Sequence, residues 1–287
     1  MRHPFDWKGF AAIVLFMPLT IFALARGNSA TNHEGWASPT VIACFAVAAA
    51  AFAFFIVTEL RNPTPLLQIR LLGERNFGIS MGVLTLFAVG MLGGTYLLPL
   101  YMQRGLGYTA LMAGSVFLPV GLIQGVLSAV SGYMTRYVKP LLPVVAGILA
   151  MALSFWLASR FTIHTTHRHI LFVLYLRGFG MGLTFAPLNL FSLKNLTQQD
   201  MAAAAGISNS IKQLAGSFGI ALLTVVFTAR TAFHAAHETQ QTPQTYVEGV
   251  TDALTVVVWI TLAAALPLLG AIRRKKKPRN AGPKSLR

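Results

Sequence analysis

An all-α polytopic membrane protein with about eight transmembrane helices is the fold class this sequence predicts, and three observations predict it. Of the 287 residues, 55% are hydrophobic and only 11% are charged, with a mean hydropathy of +0.62. A soluble domain carries about 25% charged residues, so this chain lacks the charge to cover a soluble surface. Apolar runs of about 20 residues, the length that crosses a bilayer core, recur along the chain. Finally, Lys and Arg are distributed very unevenly between the two sides that these runs define.

The runs fall at approximately 7–26, 38–58, 77–101, 109–133, 140–160, 169–191, 205–229 and 251–272. Short polar loops separate most of them. Two connections are longer, at 59–76 and 230–250. In the first, Pro63 and Pro65 break any helix. Leu66, Leu67, Ile69, Leu71 and Leu72 with Arg70 then suggest a short interfacial helix. An even number of spans puts both termini on one side. That side receives sixteen Lys and Arg, the other receives five, and Arg177 and Lys212 lie within spans, which accounts for all 23. The positive-inside rule then places both termini in the cytoplasm. The basic tail that follows the last span, 273–287, reads as a topology anchor with a secondary attraction to anionic lipid. No second basic or aromatic cluster supports a nucleic-acid partner.

The first run is long enough to span and no small-residue cleavage site follows it, so no cleavable signal peptide is expected. The single cysteine, Cys44, rules out a disulfide framework and a Cys-based zinc site; it reads as a small buried apolar residue.

The most informative stretch is Gly206–Leu223, GISNSIKQLAGSFGIALL. Wound at 100° per residue, Ser208, Asn209, Lys212, Gln213, Gly216 and Gly219 share one arc. Ile207, Ile211, Leu214, Phe218 and Leu222 occupy the opposite, lipid-suited arc. A charge at mid-bilayer costs about 2.5–3.5 kcal/mol on insertion scales, and such a group normally faces the bundle interior or a water-filled cavity. Asn209, Lys212 and Gln213 are therefore candidates for lining a solute pathway. The competing reading is helix–helix adhesion, with amides bonding across an interface that Gly216 and Gly219 allow to close. Lys212 leans towards function unless it snorkels.

The sixth span contains Arg177-Gly-Phe-Gly-Met-Gly-Leu-Thr-Phe-Ala-Pro-Leu-Asn189. No strand precedes Gly178, Gly180 and Gly182, so their spacing fits small-residue packing rather than a phosphate loop. Pro187 can kink the helix, turning Asn189 and Thr184 towards a cavity. Arg177, nearer the outer end, reads as a snorkelling residue, with a pathway role as the alternative. Gln124, following Pro119 in the fourth span, is a further pathway candidate.

All eight acids and seven histidines fall outside the middle of the spans. Proton-coupled transport usually needs such a group inside the membrane. His164, His167 and His169 cluster without acids nearby and make a weak metal site; none is expected. Neither a nucleophile–base arrangement nor a Walker motif is readable, so an enzyme or an ATP-driven pump is not expected.

These residues support a resemblance. Glu74-Arg-Asn-Phe-Gly-Ile79, Leu97-Leu-Pro-Leu-Tyr-Met-Gln-Arg-Gly-Leu-Gly-Tyr-Thr-Ala-Leu-Met-Ala-Gly114 with Leu118-Pro119, the Arg177–Leu188 run and Gly206–Gly219 together resemble the EmrB/QacA-type drug:proton antiporters, the fourteen-helix branch of the major facilitator superfamily. The resemblance covers nearly the whole chain and matches only the later part of such a protein. It implies two central helices (1–58), a cytoplasmic connector (59–76), a C-terminal six-helix domain (77–272) and the basic tail (273–287). It implies a proton gradient as the energy source, with no cofactor. It also implies amphipathic or cationic small molecules as substrates, and an N-terminal six-helix half or a periplasmic adaptor as partner. In the family the proton-coupling carboxylates lie in that N-terminal half. One departure stands out: at the loop where the family often has Gly-x-Leu-x-Asp-Arg-x-Gly, Arg136 takes the acidic position and Lys139 the final glycine. The expected function is the C-terminal portion of a proton-coupled multidrug exporter in the inner membrane. The alternative is a truncated, non-transporting membrane protein or an interaction partner of a complete pump.

Overall fold

The computed structural model describes residues 7–27, 35–61, 69–198, 200–238 and 242–268. The described residues form helices joined by turns, with no strand. The helices are α1 (Trp7–Gly27), α2 (Pro39–Arg61), α3 (Arg75–Leu100), α4 (Ala110–Ser115), α5 (Leu118–Met134), α6 (Leu141–Ala158), α7 (His167–Leu193), α8 (Met201–Glu238) and α9 (Pro243–Ala263). Seven stretches are long and apolar enough to cross a membrane, α4 and α5 counting as one; α1 supplies a shorter apolar stretch, Gly9–Ala23. With no water to bond exposed backbone in a bilayer, helices are the form such runs must take. Threonines inside them satisfy themselves locally: Thr85 Oγ1 donates to the Met81 carbonyl at 2.8 Å, and Thr224 Oγ1 to Ile220 at 2.7 Å.

α3 lies at the centre. It packs against α7, α8 and α9, and α6 joins it through α7 and α9. Phe77, Phe87, Leu97, Leu98, Tyr101 and Phe155 are fully buried there. α5 leans on α7, and its Leu118, Leu122 and Val126 are exposed. α1 and α2 pair with each other, and α1 touches α8. Glycines set the closest approaches. A Cβ on Gly180 would come within 2.8 Å of Met151 N and 2.9 Å of the Gly147 carbonyl, so α6 and α7 meet backbone to backbone.

Three expectations are corrected. The fourth span is not one helix: it breaks at Val116–Phe117, because Pro119 has no N–H to give and disfavours helical backbone just before it. Gly107, at φ +71°, makes the left-handed turn that leads into it. The 230–250 connection is not a long loop either. α8 continues to Glu238 and α9 begins at Pro243. Leaving the apolar window ends a span but not a helix, and Ala229, Ala232, Ala235 and Ala236 favour helix. At about 1.5 Å per residue, the 38 residues of α8 reach about 57 Å, well beyond a bilayer core of about 30 Å. Lastly, the arc of α8 read as lipid-facing is covered in part, with Phe218 still exposed. Ile207 is buried. Ile211, Leu214, Phe218 and Leu222 line an apolar crevice of about 530 Å³ shared with Phe16 and Met17 of α1.

Of the expected interfacial helix at 66–72, residues 66–68 lie outside the described residues and the rest belongs to a 3₁₀ turn, Ile69–Gly73. The basic tail lies wholly outside them.

Candidate functional site

The polar face of α8 opens onto a cavity of about 300 Å³ between α3, α7 and α8. Lys212, Asn209 and Ser208 come from α8, Asn189, Ser192 and Phe185 from α7, and Leu84 from α3. Helical spacing explains the grouping: Ser208 and Lys212 are one turn apart, as are Phe185 and Asn189. Phe185 is held edge-on by the buried Phe87 of α3, centroids 5.6 Å apart. Its face lies beneath Lys212, whose Nζ stands 5.8 Å from the ring centroid, within the range of a cation–π contact.

The hydroxyls are committed. Ser208 Oγ donates to the Ala204 carbonyl at 2.8 Å, and Ser192 Oγ to the Asn189 carbonyl at 2.7 Å. Among the described residues, the side chains of Asn189, Asn209 and Lys212 make no hydrogen bond, and no carboxylate pairs with Lys212. Asn189 and Asn209 are exposed on helices whose neighbouring surface is apolar.

Three of the five pathway candidates thus share one cavity. Gln213 is exposed and outside its lining, at the far edge of the α8 polar arc. Gln124 sits half-buried on α5, also outside it, with its carbonyl 2.9 Å from where a Gly182 Cβ would stand. The glycines divide by partner. Gly178 and Gly182 face α5, Gly180 faces α6, Gly216 meets Leu92 of α3, and Gly219 meets Val89 of α3. Pro187 is buried within α7, which stays helical through it.

Arg177 does not snorkel. It is 2% exposed. One amino group donates to the Met91 carbonyl at 3.3 Å and to Thr95 Oγ1. The guanidinium lies 5.6 Å from the Phe155 ring centroid. Its Nε and Nη1 have no partner among the described residues. Small glycines around α7 leave room for the side chain to turn inward, which hydropathy alone does not reveal.

A second polar group escaped the sequence reading. Because α8 and α9 form a tight hairpin, His234 of α8 stands between two carboxylates of α9: Nδ1 lies 3.3 Å from Glu248 Oε2, and Nε2 lies 3.0 Å from Asp252 Oδ2. Arg230 Nε reaches the same Asp252 oxygen at 3.4 Å. The signal was present in Thr242-Pro243-Gln-Thr245: Thr242 and Thr245 make a capping box with Pro243 in the first turn, a helix start that puts Glu248 and Asp252 one turn apart. The outer histidines are engaged separately. His167 Nδ1 is 3.1 Å from the Tyr108 hydroxyl, His169 packs edge-on against Phe161, and His164 lines a small pocket with Glu248 and Gln244. Among the described residues, no three of His, Cys, Asp and Glu gather at metal-binding distance.

Comparison with known proteins agrees with this architecture. The chain is 30% identical over 212 residues to an uncharacterized MFS-type transporter, YhcA, of Bacillus subtilis, covering 74% of this chain and 40% of the relative. It is 30% identical over 240 residues to the multidrug export protein EmrB of Escherichia coli, covering 83% of this chain and 46% of the relative. It is 27% identical over 234 residues to the fatty acid resistance protein FarB of Neisseria gonorrhoeae, covering 82% and 46%. The chain therefore spans less than half the length of these relatives. The Major Facilitator Superfamily model matches residues 7–220. An all-α, multi-pass membrane protein built this way, and matched over most of its length, belongs to the Major Facilitator Superfamily.

Proposed function

We propose that this chain forms one wall of the export pathway of a proton-coupled multidrug transporter, with the Lys212 cavity as part of the route. The observation that carries the reading is the exposure of Asn189 and Asn209 beside Lys212, on helices that otherwise present apolar surface. Lipid is a poor neighbour for amides and an ammonium group. A second six-helix unit, with a solute between the two, is a good one. Transporters of this design bind substrate near the midplane between two repeats and rock about it. In this reading 77–272 is the C-terminal six-helix domain, 1–58 the preceding helix pair, 59–76 their connector and 273–287 a basic tail. Both termini face the cytoplasm of the inner membrane. The chain binds and moves solutes without chemical conversion. The relatives named for multidrug export and fatty acid resistance support amphipathic substrates. Along the chain, the carboxylates nearest to Lys212 are Asp200 just before α8 and Glu238 at its last residue, with Glu248 and Asp252 beyond them on α9. Proton coupling then draws on carboxylates from the N-terminal half.

The test is proton-gradient-driven dye efflux in a host stripped of its own pumps, with membrane insertion checked in parallel. The chain is expressed alone and beside the N-terminal half of a relative. The expected result is no efflux alone, efflux from the pair, and loss or narrowing of efflux in Lys212→Leu with normal insertion. Unchanged efflux of every dye by Lys212→Leu removes the cavity from the route. Efflux by the chain alone removes the need for carboxylates from elsewhere.

A further inference from the structure

The charge in the cavity also sets the sign of what it takes. We propose that the Lys212 cavity is selective for small amphipathic carboxylates over cations. The inference rests on the pathway reading above and sharpens it, since composition and resemblance leave amphipathic cations equally open.

The donor inventory carries it. An ammonium has three N–H donors and no acceptor, whereas each amide pairs two donors with a carbonyl acceptor. Lys212, Asn189 and Asn209 line the same cavity and make no hydrogen bond among the described residues. The serine hydroxyl protons are already given to Ala204 and Asn189 carbonyls. The donor excess and the one formal positive charge therefore come from Lys212, while the amides can turn either their N–H or their carbonyl side to a ligand. A carboxylate, which accepts through both oxygens, matches the Lys212 ammonium; an organic cation meets a like charge there.

Among the described residues, no carboxylate lines the cavity to reverse that sign. The carboxylates of the α8–α9 hairpin are already engaged with His234 and Arg230. Along α8, His234 is 22 residues beyond Lys212, roughly 33 Å at about 1.5 Å per residue. Asp200 is 12 residues the other way, roughly 18 Å, and accepts from Thr197 Oγ1 at 2.7 Å. Phe185 beneath Lys212 holds the ammonium in place without neutralising it. Leu84, Leu193, Ala205 and the Phe185 edge complete an apolar lining, so the ligand needs an apolar body as well as a charged end. A volume of about 300 Å³ is at the small end of ligand pockets, suited to an aryl or short alkyl acid.

Three probes of one shape separate charge from size: phenylacetate, phenylacetamide and phenethylammonium. Their affinities are measured by titration calorimetry on the whole chain in nanodiscs. Phenylacetate is expected to bind most tightly and phenethylammonium least. Losing one charge-assisted hydrogen bond corresponds to about 10- to 100-fold in affinity, the loss expected for phenylacetate on Lys212→Gln. Lys212→Arg retains binding, and Lys212→Glu reverses the order of the charged pair. Equal or tighter binding of phenethylammonium by the native chain overturns the proposal, as does unchanged phenylacetate affinity in Lys212→Gln. Absence of binding by all three overturns it too. Water access to Asn209→Cys, read by thiol labelling, tests the pathway itself, so the two readings can fail separately.

Discussion

At the scale of single residues, two buried or half-buried cations carry most of the interest, and they differ. Arg177 is enclosed, with three of its five N–H donors unpartnered and no acid among the described residues to neutralise it. Desolvation without a matching partner makes such a group a burden on stability. Arg177→Met is expected to be neutral or to stabilise the chain by about 1–3 kcal/mol, read from denaturant unfolding in detergent. A loss of several kcal/mol would mean that Arg177 has a partner outside the described residues. The glycines give a sharper contrast. Gly219→Val would drive a side chain into the Val89 backbone and should cost about 1–3 kcal/mol. Gly125 on α5 has open space around its missing Cβ, so Gly125→Ala should gain up to about 1 kcal/mol. The same unfolding measurement checks both. Sequence alone lists these glycines without saying which of them touch; contact is a tertiary property.

Among the helices, α8 concentrates the argument. Its polar arc was legible because helical periodicity converts spacing into direction, and Asn209 and Lys212 were picked out on that basis. What faces each arc was not legible. The apolar arc turned out to meet α1 across a crevice, and Gln213, one turn beyond Asn209 at the edge of the polar arc, lies outside the cavity. Periodicity gives an angle around one helix axis and contains nothing about its neighbours. The α8–α9 hairpin shows the complementary failure: hydropathy marked where the apolar window ends and so missed a helix that continues past it. That hairpin makes a modest prediction. Asp252→Asn removes the partner of both Arg230 and His234; half-exposed pairs of this kind are worth about 0.5–1 kcal/mol. The loss should shrink in high salt, where exposed charges are screened. A salt-independent effect would assign the cost to packing around the buried Thr231 and Gly249 instead.

For the whole molecule, composition and the placement of Lys and Arg were enough for the fold class, and motif order was enough for the family. Neither could say what covers the exposed amides of α7 and α8, since composition and motif order contain nothing about a helix's neighbours. The central claim is that this face borders water and solute rather than lipid. Replacing Cys44 by Ala gives a cysteine-free chain, because Cys44 is the only cysteine. Single cysteines are then placed at Asn209 in the cavity and at Leu149, exposed on the apolar face of α6. Their reaction with a membrane-impermeant thiol reagent in native membranes is the most direct measurement. The account predicts rapid labelling of Asn209→Cys, slowed by phenylacetate, and none of Leu149→Cys. An Asn209→Cys as unreactive as Leu149→Cys would contradict it and leave the polar arc of α8 as packing alone.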